Sequence, residues 1–298
     1  MSTYSLAISG LIFTTFIWGV TFELVEESLK SIPPSIFSVI RFFIAAICTL
    51  LLILFKYKKV KIDRDEFKAG VVCAIFLSLG YFFQSFGLWD NIFYLKSDPN
   101  KSAFITGTSV LMVPIIIFLM GKGKPSNYLW FSIALVLTGL GILLNPNVEN
   151  FTVGDILTFG CAISFAAHII LQGQYLINKI NNIYNFFFIQ MVITTMLFSI
   201  GAIFEYQASF NVLDWNYTVW SGLWITGVLA TFVAILIMVW AQKIVSPIQT
   251  AMIFTLEPVF AGIYNHFFTD HILSNWGIFS GVIIVLGIVY HEYKVNKA

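Results

Sequence analysis

The chain has 298 residues, of which 58% are hydrophobic and only 10% charged, with a net charge of +1 and a mean hydropathy of +0.87. A soluble domain draws its water-facing surface from about 25% charged residues, so this composition excludes a soluble globule and points to an integral membrane protein. The near-neutral charge gives no footing for nucleic acid. The stretch Gly121-Lys122-Gly123-Lys124-Pro125-Ser126 lacks the G-x-x-x-x-G-K-[ST] spacing of a phosphate loop, which argues against a self-contained ATP-driven pump.

A helix crosses the hydrocarbon layer with about 20 apolar residues. Taken in chain order, the stretches that meet this are 6–25, 35–56, 68–89, 101–120, 128–145, 154–174, 184–204, 217–241, 247–268 and 274–292. No Lys or Arg precedes the first and no small-residue cleavage site follows it, so it is read as a retained span and not a leader. Pro33-Pro34, Asp98-Pro99-Asn100, Pro125-Ser126-Asn127 and Asn145-Pro146-Asn147 punctuate the gaps. Only a tight turn at 242–246 divides the eighth stretch from the ninth, so ten spans are expected, with nine as the alternative.

Basic residues give an independent test, because Lys and Arg accumulate on cytoplasmic connections. With the N-terminus inside, the inner connections hold Lys56, Lys58, Lys59, Lys61, Arg64, Lys68, Lys122, Lys124, Lys179, Lys243, Lys294 and Lys297. The outer connections and adjoining span ends hold only Lys30, Lys96 and Lys101. This asymmetry predicts an even number of spans in a bacterial inner (plasma) membrane, with both termini cytoplasmic. Cys48, Cys73 and Cys161 all fall in apolar stretches, an odd number that reads as packing and not as a disulfide framework.

A faint internal repeat follows. Ala103-Phe104-Ile105-Thr106, an apolar span, a polar turn and a Gly-rich span (Gly139, Gly141) are matched by Ala251-Met252-Ile253-Phe254 and the same succession (Gly277, Gly281, Gly287), 148 residues later. The predicted organisation is a five-helix repeat over 1–147 and a second over 148–298. Five is odd, so the second repeat must sit inverted in the membrane, an arrangement that places a solute site between halves near the midplane.

Ionisable residues at membrane depth are costly, which makes each a candidate site. Arg41 lies about two helical turns into the second span, and Glu23 lies at similar depth in the first. Either the two form an ion pair or Glu23 joins Glu26 and Glu27 in a solvated helix end. Glu257 falls near mid-membrane in Thr255-Leu256-Glu257-Pro258, where Pro258 cannot donate to the carbonyl of Phe254. A carboxylate beside a loosened helix suits a proton or a cationic group. His168 and Gln190 lie in the inner halves of the sixth and seventh spans, His168 either packed and hydrogen-bonded or a proton relay. Gln84 and Gln242 extend the polar set toward the outer and inner ends. Trp18 and Trp240 are candidate cavity walls, whereas Trp89, Trp130, Trp215 and Trp220 read as interface anchors. Gly277-Ile278-Phe279-Ser280-Gly281 is a G-x-x-x-G pattern that permits close packing within the monomer or across a homodimer.

Several of these pieces occur in an order that resembles the ten-span EamA-type members of the drug/metabolite transporter superfamily, over nearly the whole chain. They are Trp18-Gly19 with Phe22, Pro34 followed by Arg41-Phe42, Lys101-Ser102-Ala103-Phe104-Ile105-Thr106-Gly107 with Val113-Pro114, Gly154-Asp155, and Ala167-His168-Ile169-Ile170. The most specific run is Trp240-Ala241-Gln242, Ser246-Pro247 and Glu257-Pro258-Val259-Phe260-Ala261. The resemblance implies an all-α integral membrane fold of ten transmembrane helices as two inverted five-helix repeats. It also implies secondary-active carriage of small metabolites by alternating access, with export the expected direction. Carried over, it favours Trp18, Arg41, Gln84, His168, Gln190, Gln242 and Glu257 as cavity residues, and Pro114 and Pro258 as helix breaks. Glu23 and Glu26 depart from the family pattern, as do Thr269-Asp270 at the end of the ninth span and the long connection 90–100 with Ile92-Phe93-Tyr94-Leu95.

A membrane-embedded enzyme is the first competing class. It needs a nucleophile–base pair or a metal cluster, and the sequence contains no H-E-x-x-H, no clustered histidines and no G-x-S-x-G. A channel or structural membrane partner is the other. No catalytic residue, metal or cofactor is expected. The expected partners are the lipid bilayer and a small solute, with one Arg and one Glu in an aromatic setting favouring a zwitterion such as an amino acid.

Overall fold

A computed structural model describes residues 2–89, 96–146, 151–178, 180–208, 213–268 and 274–297. The segment Ile92–Leu95, Lys179, Thr269-Asp270 and His271 lie outside the described residues. Within them the protein is all-helical: α1 (Thr3–Leu29), α2 (Pro34–Tyr57), α3 (Arg64–Leu88), α4 (Pro99–Gly107), α5 (Ser109–Leu119), α6 (Asn127–Leu144), α7 (Val153–Asn178), α8 (Ile183–Ala208), α9 (Tyr217–Ile225), a π-helix (Thr226–Val233), α10 (Ala234–Ala241), α11 (Pro247–Phe254), α12 (Glu257–Phe268) and α13 (Asn275–Val295). Among the described residues, nine helical stretches are long and apolar enough to cross a membrane, the α4–α5 and α9–α10 runs counting once each. The protein is a multi-pass membrane protein, and its outer surface is apolar: Phe55, Leu119, Phe204 and Leu286 all project outward.

The tenth expected stretch, 247–268, is divided. α11 ends at Phe254, Thr255 Oγ1 turns back onto the Met252 carbonyl at 2.6 Å, and α12 starts at Glu257. Pro258 explains the site of the break. With no N–H it cannot pair with the Phe254 carbonyl, but one residue inside a new helix start its missing donor costs nothing. The expected single helix over 101–120 is divided too, at Thr108, whose hydroxyl bonds the Ile105 carbonyl at 2.6 Å. The predicted break at Pro114 is therefore corrected. Pro114 sits inside α5, and the chain bends six residues earlier, where Thr108 ends α4 with its own side chain.

The turn at 242–246 does separate α10 from α11. Ser246 opens α11 as a capping box with Gln249, satisfying backbone donors at both ends of the first turn. Tyr4 on α1 donates to Glu292 on α13 at 2.7 Å, and Gln249 Nε2 reaches the same carboxylate at 3.0 Å, so both ends of the helical chain lie at one end of the bundle, here the near end. Lys56 bonds the Tyr184 hydroxyl at 3.0 Å, and Glu66 accepts from the backbone of Asn182 at 2.9 Å, also at the near end.

At the far end, Glu205 on α8 accepts from the backbone N–H of Ser35 at 2.8 Å and its hydroxyl at 2.6 Å. The N-terminal residue before α2 is Pro33, which offers no side-chain cap, so the carboxylate of another helix supplies one and meets the positive end of the helix dipole. Asn216 bonds Ser31 nearby at 3.1 Å.

The helices interleave along the chain. α2 packs on α8 and the π-helix, α1 on α9, α10 and α12, α3 on α7 and α8, and α6 on α13. In lipid, such packing is held by close contact and interhelical hydrogen bonds more than by burial from water. α13 meets α6 closely both within its G-x-x-x-G stretch, at Ser280, and beyond it, at Gly287. A Cβ at Gly139 would stand 2.9 Å from the Ser280 carbonyl, and one at Gly287 3.1 Å from the Ser132 carbonyl.

Candidate functional site

Arg41 is buried, and two groups outside α2 hold it. Its Nε donates to Thr231 Oγ1 at 2.6 Å and its Nη2 to the Tyr81 hydroxyl at 3.3 Å. The guanidinium carbon lies 4.7 Å from the centre of the Tyr81 ring and 5.8 Å from that of Phe42, so the cation also rests on aromatic faces. Tyr81 is fixed in turn by edge contacts with Phe42 at 5.1 Å and Phe165 at 5.3 Å. The expected Glu23–Arg41 ion pair is not formed. α1 and α2 face different partners, so Arg41 turns toward the π-helix while Glu23 stays half-buried near Glu26 and the exposed Glu27–Lys30 ion pair.

Thr231 reaches Arg41 because of the π-helix. A π turn carries an extra residue per hydrogen-bonded ring and shifts the side chains beyond it. Its backbone is gripped from both sides. Trp18 Nε1 donates to the Ala230 carbonyl at 2.8 Å, and Thr14 Oγ1 donates to the Ala234 carbonyl at 3.1 Å. On the opposite side Gly227 lies so close to α2 that a Cβ there would stand 3.2 Å from the Arg41 carbonyl.

Trp18 also meets Phe254 edge-on at 4.9 Å, the last residue before the break that precedes Glu257. Its neighbour Gly19 sets how near α1 comes to that break, since a Cβ at 19 would lie 2.7 Å from the Glu257 carbonyl. Glu257 heads α12, where the helix dipole favours a negative charge. Its carboxylate lies within electrostatic reach of Arg41, Tyr81 and Cys161 but beyond ion-pair distance of Arg41. Among the described residues neither Arg41 Nη1 nor the Glu257 carboxylate makes a hydrogen bond, and neither is a sealed, unsatisfied atom. Each therefore keeps hydrogen-bonding capacity that no described protein group uses. The arrangement sets a cation held by Thr231 and Tyr81 within electrostatic reach of a carboxylate at the head of α12, with the Tyr81 and Phe42 rings against the cation.

The other polar candidates form a separate construction nearer the near end. Gln242 Nε2 donates to the Ile169 carbonyl at 3.1 Å, Gln172 Nε2 to Gln242 Oε1 at 2.7 Å, Gln190 Nε2 to Gln172 Oε1 at 3.1 Å, and Gln190 Oε1 meets His168 Nε2 at 2.9 Å. All four side chains are buried. The direction of the chain follows from its end. A backbone carbonyl only accepts, so Gln242 must present its amide nitrogen there and its oxygen to Gln172, and each next amide is forced likewise. At the last link His168 Nε2 must carry the proton. His168, Gln190 and Gln242 thus bond one another through Gln172, which the sequence reading did not single out.

Gln84 is half-buried on α3 and makes no hydrogen bond among the described residues. Trp240 packs its ring near Gly10 of α1 in the apolar core. An apolar groove of about 350 Å³ lined by Ile8, Ile12, Ile253, Ile288 and Val289 lies between α1, α11 and α13. Neither Arg41 nor Glu257 lines it.

Lys101 stands at a span end, in the first turn of α4. Expected near an outer connection, it is buried, with Nζ 3.0 Å from Asp155 Oδ2. Asp155 also accepts from Ser97 Oγ at 2.5 Å and the Thr152 N–H at 2.8 Å, clamping α4 to the start of α7. No group of His, Cys, Asp and Glu able to hold a metal ion occurs among the described residues.

The EamA-like transporter family matches residues 5–145 and again 152–291. An uncharacterized transporter of Archaeoglobus fulgidus is 32% identical over 96% of this chain and 85% of its own length. The uncharacterized transporter YoaV of Bacillus subtilis is 23% identical over 97% of both chains. A solved crystal structure at 15% identity shares the fold, with a TM-score of 0.74 over 98% of each chain. The chain is a membrane transporter and belongs to the EamA-like transporter family.

Proposed function

We propose that the protein is a secondary-active exporter that carries a small zwitterionic metabolite, such as an amino acid, across the bacterial inner membrane by alternating access. The observation that carries the substrate reading is the nearness of two opposite charges, Arg41 and Glu257, and a crevice between them is part of the proposal. Arg41 and Glu257 lie within electrostatic reach of each other yet form no ion pair, so a carboxylate and an ammonium on one solute match the two charges. Export and the use of an ion gradient or exchange come from the family resemblance. Transport is the whole activity on this reading, with no catalytic step.

Ten crossings in two inverted halves, 1–147 and 148–298, are part of the same proposal, with α11 and α12 together making one crossing. Contacts support it by occurring in matched pairs at opposite ends of the bundle. Lys101 of α4 meets Asp155 at the start of α7, and Gln249 of α11 meets Tyr4 at the start of α1. Glu205 near the end of α8 meets Ser35 of α2, and Lys56 near the end of α2 meets Tyr184 of α8. Thr108 and Thr255 divide the corresponding crossings with the same hydroxyl-to-carbonyl bond. The shared near end of both chain ends, with the lysine asymmetry, supports cytoplasmic termini.

The test is reconstitution into vesicles loaded with a metabolite mixture, followed by assay of efflux and counterflow under imposed proton and solute gradients. Saturable flux of an amino acid, lost in Arg41→Ala and Glu257→Gln, is the expected result. Flux of no solute under any gradient sinks the carrier reading, and flux indifferent to both substitutions sinks the zwitterion site.

A further inference from the structure

We infer that Thr231 and Tyr81 are positioning residues that leave only the end edge of the Arg41 guanidinium open, which makes the crevice select for a carboxylate. The inference rests on the reading of the crevice as the substrate site. A guanidinium has two edges that can bind a carboxylate through paired N–H groups: the side edge, formed by Nε and Nη2, and the end edge, formed by Nη1 and Nη2. Here the side edge is spent. Nε donates to Thr231 at 2.6 Å and Nη2 to Tyr81 at 3.3 Å, while Nη1 makes no hydrogen bond among the described residues.

The same partners remove the freedom that a long arginine would otherwise have. Tyr81 lies under the cation at 4.7 Å, with its own ring braced by Phe42 and Phe165, and Thr231 fixes rotation in the guanidinium plane. Thr231 is held by a π-helix whose backbone is tied to Trp18 on one side and pressed against the Arg41 carbonyl at Gly227 on the other. The π turn thus aims the residue that aims the arginine. A solute carboxylate entering the crevice meets two coplanar N–H groups already oriented and loses little further freedom in ordering them. A lysine at 41 offers a point charge with no edge to hold, so it does not substitute.

The experiment uses the full-length protein in vesicles and a labelled mixture of proteinogenic L-amino acids, then the single member moved fastest, with its carboxamide as competitor. Thr231→Val is expected to raise the half-saturation concentration about tenfold, the loss of one charge-assisted hydrogen bond, with maximal rate little changed. Thr231→Ser should stay near the parent, and Arg41→Lys should fail as Arg41→Ala does. Inhibition by the carboxamide should be unmoved by Thr231→Val, because that analogue has no carboxylate to align. If Arg41→Ala abolishes transport while both Thr231→Val and Tyr81→Phe leave half-saturation unchanged, the positioning role is overturned and the site reading stands. If Arg41→Ala has no effect, the site reading itself has failed. Should Thr231→Val not yield folded protein, Tyr81→Phe alone decides, by the same shift or its absence.

Discussion

Replacing Gln172 by leucine cuts the buried amide chain at its middle. Gln190 Nε2 loses its acceptor at 3.1 Å and Gln242 Oε1 its donor at 2.7 Å, and both groups are fully buried. On the scale of soluble proteins two stranded groups cost about 2–6 kcal/mol together. In a bilayer the unfolded helices find polar partners of their own, and single interhelical bonds average about 0.6 and reach about 1.7 kcal/mol. The membrane scale governs here, since α7, α8 and α10 stay helical in the denatured reference, so Gln172→Leu is expected to cost about 1–3 kcal/mol. His168→Leu breaks only the terminal link and should cost about half as much. Replacing all four members (His168, Gln172, Gln190, Gln242) by leucine removes donors and acceptors together, so it should lie nearer the parent than Gln172→Leu alone. Reversible unfolding in bicelles, followed by tryptophan fluorescence, reads all three. A quadruple variant destabilised by the sum of its parts would refute the idea that the chain acts as one mutually satisfied unit.

The remaining expectations are simpler. Lys101→Met leaves the fully buried Asp155 with Ser97 and Thr152 but no cation, and should lower stability by about 2–4 kcal/mol; pairing it with Asp155→Leu should recover most of that in the same unfolding assay. Gly154→Ala places a Cβ 2.3 Å from the Ser97 backbone nitrogen and 2.5 Å from the Gly87 carbonyl. Neither neighbour is a flexible side-chain end, so it should reduce the yield of monodisperse protein more than Gly141→Ala, whose nearest contact is 3.7 Å. Glu205→Ala uncaps α2 and should cost about 1–2 kcal/mol, with Glu205→Gln losing less because its amide oxygen still accepts.

Much of the framework was legible because lipid imposes a coarse code. Apolar runs of spanning length, prolines in the gaps and lysines on one side are visible in any single sequence, and so are Arg41 and Glu257, whose charge stands out against their neighbours. What surrounds them was not visible. Tyr81 and Thr231 are ordinary residues for an apolar helix, and no residue pattern announces that 226–233 winds as a π-helix. Gln172 had a signal that went unread: it follows His168 by four residues, one turn on the same face of α7. Lys101 counted as a topology marker because its position suggested water, whereas the fold folds Asp155 over it. The break at Thr255 was legible through Pro258. The one at Thr108 was not, since a threonine closing its own turn leaves no mark, and Pro114 drew attention to the wrong place.

The interleaving of the chain explains why charges far apart in sequence lie within electrostatic reach of each other. α2 touches α1 only slightly. It packs on the π-helix and α8, while α1 packs on α10 and α12, so Arg41 and Glu257 are each presented by an element whose neighbours come mainly from the other half of the chain. The π-helix is where the two presentations meet, bonded to Arg41 through Thr231 and to α1 through Trp18. On the alternating-access reading, a motion that separates α1 from α2 at the crevice has two routes. It breaks one of those bonds, or it rewinds the π turn as α-helix and swings the side chains beyond it by about 100°, taking Thr231 off Arg41. The second route, and the first where the bond it breaks is the Thr231–Arg41 bond, frees the side edge of the guanidinium. Solute affinity and helix geometry are then coupled through a single threonine, the residue whose replacement in Thr231→Val weakens solute binding.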